Sequence, residues 1–76
     1  MKELVEFLAR ELVDDPDAVD VTESTDDRGL RLTLRVAPDD MGKVIGKGGR
    51  TAKAIRAVVR AAATRQGTGA YVDIAD

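Results

Sequence analysis

The chain contains no cysteine, no histidine and no tryptophan. Without Cys or His, disulfides and the usual zinc sites are excluded. A nucleophile held by an oriented base has only scattered hydroxyls to draw on, so an enzyme is not expected. Aromatics are limited to Phe7 and Tyr71, which weighs against bases stacked on an aromatic sheet, as in an RRM or an OB-fold. No apolar run is long enough to span a bilayer. The N-terminus opens on an acidic amphipathic pattern, not on a basic segment followed by an apolar block. A cytoplasmic protein with no membrane partner and no cofactor is therefore expected. The 76 residues make one domain, 1–76. A chain this short buries only about 60% of its unfolded surface. With no disulfide or metal to help, oligomerisation is the support that remains.

What is present is a strong separation of charge. Residues 1–40 carry twelve acids and five bases, whereas Met41 to Arg65 carries seven bases and no acid. The formal net charge of −2 hides this dipole. A protein that coats nucleic acid by charge alone is basic throughout. Here the positive charge is local, so the binding site should be local too. The acids of residues 14–40 read as a solvated face that repels a polyanion, and Asp14/Asp15 and Asp39/Asp40 as helix-end chemistry.

The apolar periodicity predicts a first helix over residues 1–13, with Leu4, Val5, Leu8 and Leu12 on one stripe, Met1 beside them and Phe7 off it. Pro16 and its flanking acids end it. Val19 to Thr25 reads as a strand with Val19, Val21 and Glu23 on one side. A turn over Asp26–Gly29 leads to a second strand, where Leu30, Leu32, Leu34 and Val36 alternate with polar residues. The two should form an antiparallel hairpin. Pro38 opens a short helix over Asp39–Ile45, and a longer helix runs from Gly49 to about Arg65 with Ile55, Val58, Val59 and Ala62 buried. Gln66–Gly69 ends it, and Ala70–Ala75 is a last strand with Val72 and Ile74 inward. Tyr71 reads as an ordinary strand residue, and Arg31 and Arg35 as outer-face partners of nearby acids. The order α-β-β-α-α-β predicts a two-layer α+β domain, a three-stranded sheet with helices packed on one face.

The two later helices meet at Gly46-Lys47-Gly48-Gly49. One glycine suffices for a tight turn; three in four residues favour a site where a sugar-phosphate approaches the main chain. Lys47 puts a charge at the tip, and the free N–H groups of a helix N-terminus favour an anion there. A helix–GxxG–helix unit with a basic loop is the physical core of a KH domain, which clamps about four nucleotides. Rival loops fit poorly. A P-loop needs G-x-x-x-x-G-K-[ST], but Gly42 to Gly46 is one residue short and Gly48 replaces the hydroxyl. A Rossmann fingerprint joins a strand to a helix, not two helices.

The run from Ala37 to Arg56, with Val44-Ile45-Gly46-Lys47-Gly48-Gly49-Arg50-Thr51 at its centre, resembles the small bacterial single-KH RNA-binding proteins of the KhpA family. The element order is similar to the type II KH domain. The resemblance implies an RNA chaperone or post-transcriptional regulator with a link to cell elongation and envelope homeostasis. It also implies pairing with a second copy or with a larger KH-containing protein of the KhpB type. Single-stranded RNA is the expected ligand. Its backbone should cross Gly46, Lys47, Gly48, Gly49 and Arg50, with Lys43, Lys53, Arg56 and Arg60 as candidate phosphate contacts. A basic helix face that is merely solvated competes with that role. The bases should lie in a groove lined by Val44, Ile45, Ile55 and the strand Leu32–Val36. The alternative is an interaction module, in which the groove or the helices form a dimer surface and RNA contact is secondary.

Overall fold

Helix α1 (Lys2–Leu12) forms over the expected stretch, but its buried seam is Val5 and Ala9, with Leu4 and Leu8 half-buried. The computed structural model describes residues 1–75. The helix is rotated from the Leu4–Leu12 stripe so that Ala9, with its short side chain, meets the sheet. Leu12 is left 38% exposed and Phe7 61% exposed. A turn of 3-10 helix at Pro16–Ala18 then leads into β1 (Asp20–Asp26).

Strands β1 and β2 (Gly29–Arg35) pair antiparallel as the expected hairpin, with Val21 opposite Leu34. The alternation in β2 puts Leu32 and Leu34 wholly inside, and Val36 just beyond the strand is also buried. Glu23 lies at the rim of the same face, where its carboxylate accepts the backbone N–H of Lys2 at 3.0 Å.

A second 3-10 turn, at Pro38–Asp40, precedes α2 (Met41–Ile45), and a third, at Lys47–Gly49, joins it to α3 (Arg50–Arg65). In α3 the buried residues are Ala52, Ile55, Val59 and Ala63. The expected stripe through Val58 and Ala62 is displaced: Val58 is 44% exposed. The reason is the one seen in α1. Alanines let the helix approach the sheet, and the bulkier Val58 is turned toward the seam between α1 and α3.

Strand β3 (Ala70–Ala75) pairs parallel to β2, so the sheet order is β1-β2-β3 and β2 is central. Val72 is buried, and Ile74 packs against the core. The core therefore lies between the inner face of the sheet and the three helices. The outer face carries Thr22, Arg31, Thr33, Arg35 and Asp73, with ion pairs Arg31–Asp73 (2.7 Å) and Arg35–Asp20 (3.9 Å). No helix among the described residues is long and apolar enough to cross a membrane.

Among the described residues, one charged residue is buried with the core. Asp40 is 2% exposed. Its two carboxylate oxygens accept the backbone N–H groups of Asp14 and Asp15 at 3.2 and 3.0 Å. These donors lie just past α1, so the carboxylate ties the end of α1 to the segment that leads into α2. A buried charge is tolerable only with partners of this kind.

Candidate nucleic-acid interface

The loop between α2 and α3 is built by backbone geometry before any side chain acts. Gly46 closes α2, its N–H donating to the carbonyl of Gly42 at 2.9 Å. It sits at φ 76°, ψ 171°, and a Cβ there would run into the side chain and backbone of Thr51. The chain then makes one tight turn, with the N–H of Gly49 donating to the carbonyl of Gly46 at 3.1 Å. Gly48 is also at positive φ, with open space around it. Lys47, Gly48 and Arg50 are exposed. The result is a bare stretch of main chain at the head of α3, with Lys47 at its tip.

The helical spacing of Gly49, Lys53, Arg56 and Arg60 places them on one stripe of α3. Arg56 anchors the stripe to the sheet: its Nε donates to the carbonyl of Val72 at 3.3 Å. That bond occupies a carbonyl at the edge of β3 that would otherwise invite another strand. Between the stripe and the edge lies a trough of about 250 Å³, lined by Arg56, Arg60, Ala70, Tyr71, Val72 and Asp73.

Charge in this region is largely uncompensated. Among the described residues, Lys47, Arg50, Lys53, Arg56, Arg60 and Arg65 make no salt bridge, whereas Lys43 is held by Asp14 at 3.1 Å and Asp40 at 3.8 Å. The hydrogen bond to Asp14, together with that carboxylate's charge, holds the Lys43 ammonium above its usual range. Lys43 is thus tied to its own chain and is set apart from the loop cations.

The structure places Gly46, Lys47, Gly48, Gly49 and Arg50 in the loop and at the head of α3, and Lys53 and Arg56 further along the same helix. It removes Val44, which is fully buried, and Ile55, 4% exposed. Leu32, Leu34 and Val36 also belong to the core, so the expected groove wall on Leu32–Val36 is corrected. The central position of β2 puts its inner side chains beneath the helices, and the strand beside the open flank of α3 is β3. Ile45, 38% exposed, is the apolar site residue that stays accessible.

Tyr71 is a residue of β3, as expected, and it also lines the trough. Its hydroxyl donates to the Asp26 carboxylate and accepts from Arg28 Nη2 at 3.2 Å. The hydrogen bond to Asp26 raises the Tyr71 phenol above its usual range. The same bond, with the Arg28 backbone N–H, lowers the Asp26 carboxyl. No local sequence signal marks this cluster, because it joins residues more than forty positions apart.

A second concavity lies between α1 and α3. Phe7, Leu8, Leu12, Ala54, Ile55 and Val58 line about 250 Å³ of nearly apolar groove, and Thr51 joins it to the end of α3 that carries the loop.

The family model described as "KhpA/KhpB, KH domain" matches residues 2–74. A Halalkalibacterium halodurans protein called RNA-binding protein KhpA is 59% identical over 76 residues, covering 100% of both chains. Proteins of the same name are 54% identical in Clostridium acetobutylicum, covering 97% of this chain and 99% of that one, and 47% identical in Streptomyces coelicolor, covering 100% and 92%. Among solved structures, Aquifex aeolicus Era bound to GDP and aluminium fluoride aligns with a TM-score of 0.67 at 20% identity. That alignment covers 96% of this chain and 28% of the Era chain, and shows a shared fold.

Proposed function

The chain belongs to the KhpA/KhpB KH-domain family and is a binding domain, not an enzyme; on that premise, we propose that it binds short single-stranded RNA as a cytoplasmic RNA chaperone or post-transcriptional regulator. The observation that carries the reading is the three-glycine loop at the head of a stripe of cations that make no ion pair among the described residues. The sugar-phosphate backbone crosses Gly46–Gly49, where the three glycines present no side chain to hold it off the main chain. Lys47, Arg50 and Lys53 supply charge beside it. The strand then runs along the trough between α3 and the edge of β3, past Arg56. Ile45 offers an apolar contact at the loop end.

About four nucleotides are held by one such module. Two to four phosphate contacts give a slope of log K against log salt of about −1.4 to −2.8. Titrating labelled protein with a short single-stranded RNA tests both statements. Chemical shifts should move in Gly46–Arg50, Arg56 and β3, with a slope in that range. Shifts confined to α1, or a slope several times steeper, would contradict the assignment.

The apolar groove between α1 and α3 favours a second, compatible reading, in which the chain pairs with another KH unit. One small RNA site binds weakly, and a linked second site raises avidity without new contacts. The partner is a second copy or a larger protein of the KhpB type. Sedimentation at micromolar concentration, with and without RNA, checks this. A dimer weakened by Phe7→Glu supports it, and a strict monomer at high concentration refutes self-pairing.

A further inference from the structure

The cationic stripe of α3 does not end at the trough. At Arg60 it reaches a second cavity of about 380 Å³, and the two cavities share Arg60, Ala70 and Tyr71. The far side of the second cavity is formed by Thr64, Thr68 and Arg28, the last from the turn between β1 and β2. Arg50 and Thr64 are fourteen residues apart on α3, about 21 Å at the helical rise. The two cavities thus run together along α3 from Arg56 to Thr64, toward the end of the helix opposite the loop.

Arg28 is held in place there. Its backbone N–H donates to the Asp26 carboxylate at 2.8 Å, and its Nη2 donates to the Tyr71 hydroxyl at 3.2 Å. Its guanidinium carbon lies 4.6 Å from the centroid of the Tyr71 ring. Tyr71 is fixed in turn by donating to Asp26. Other arginines of the acidic half are differently engaged: Arg10, Arg31 and Arg35 each have a carboxylate partner. Among the described residues Arg28 makes no salt bridge, and neither does Arg60. A guanidinium stacked on an aromatic ring keeps a planar fork of donors that suits a phosphate, and little rotamer freedom is left to lose on binding.

We propose that this second cavity is a phosphate subsite for the end of the RNA strand farthest from the glycine loop, with Arg28 and Arg60 as its two cations and Tyr71 as the support that aims Arg28. The proposal rests on the RNA reading above. It assigns a contact to the acidic half of the chain and lengthens the footprint past Arg56.

The test is the affinity of the full chain for a mixed-sequence eight-nucleotide RNA across a salt series. Arg28→Ala should weaken binding about threefold to tenfold whatever the sequence, and reduce the salt slope by about 0.7, the value of one single-strand phosphate contact. Tyr71→Phe, which keeps the ring but frees Arg28 from the hydroxyl, should give a smaller loss in the same direction. Arg10→Ala, an exposed cation on α1 paired with Glu6, should leave affinity unchanged. If the wild type binds and the loop variant Lys47→Asp with Gly48→Asp does not, while Arg28→Ala behaves as Arg10→Ala does, the subsite is refuted and the RNA reading stands. If the wild type fails to bind RNA, both fall together.

Discussion

Replacing Asp40 by asparagine should destabilise the fold by about 2–4 kcal/mol, the cost of losing one charge-assisted hydrogen bond and setting a donor against a donor. The carboxylate is 2% exposed and accepts two backbone N–H groups, from Asp14 and Asp15. Asparagine keeps one acceptor oxygen, so one of those bonds survives. Its amide then faces the other N–H, and that donor is left unsatisfied away from water. For a domain of this size each kcal/mol moves the melting temperature by about 4–8 °C. The midpoint should therefore fall by roughly 10–30 °C. Thermal and urea unfolding read this directly, with the urea slope unchanged if only the folded state is affected. Lys43→Ala leaves both backbone bonds in place and should cost far less. An Asp40→Asn shift within the range of ordinary surface substitutions, about 0.5 kcal/mol, would refute the claim that this carboxylate joins the end of α1 to α2.

Gly46→Ala should be more damaging than Gly48→Ala. Both glycines are at positive φ, but a side chain at Gly46 also meets Thr51, whereas Gly48 has open space; urea midpoints should rank them in that order. The pH profile of stability follows from the Asp26–Tyr71 pair. Asp26 is lowered from 3.8, so its contribution is present above that pH and is lost as pH falls through the folded value. Tyr71 is raised from 10.0, so its contribution is present below that pH and is lost as pH rises through the folded value. Tyr71→Phe should flatten both limbs of the urea midpoint against pH, and unchanged limbs would contradict the pairing.

Much of the architecture is written locally. The alternation of Leu30 to Val36 fixes a strand and its inner face, because a one-residue slip would expose every leucine. The glycines of the loop mark positive-φ positions that other residues adopt at a cost. Helix rotation was less legible. Apolar count favours Leu12 and Val58 as core residues, but the distance of closest approach to the sheet selects Ala9, Ala52 and Ala63. Strand neighbours were not legible at all. Periodicity tells which face of β2 is buried, not that β3 lies parallel beside it, so Leu32–Val36 was expected to line a groove and is buried beneath the helices instead. Asp40 looked like one more helix-end acid. Its burial depends on two N–H donors brought to it from about 25 positions away. Lys43 shares the basic run with Lys47, yet folding places it against Asp14 and Asp40 and leaves Lys47 exposed at the loop tip.

The central claim is that bare main chain between α2 and α3 holds the RNA backbone. Its most direct test is the RNA affinity of a variant carrying Lys47→Asp and Gly48→Asp, measured beside the wild type after circular dichroism and unfolding have shown both to be folded. Both positions are exposed, so the fold should persist, while two carboxylates stand where the phosphates must pass. Loss of measurable binding to a short single-stranded RNA is the predicted result. Wild-type affinity in the folded double variant would contradict it.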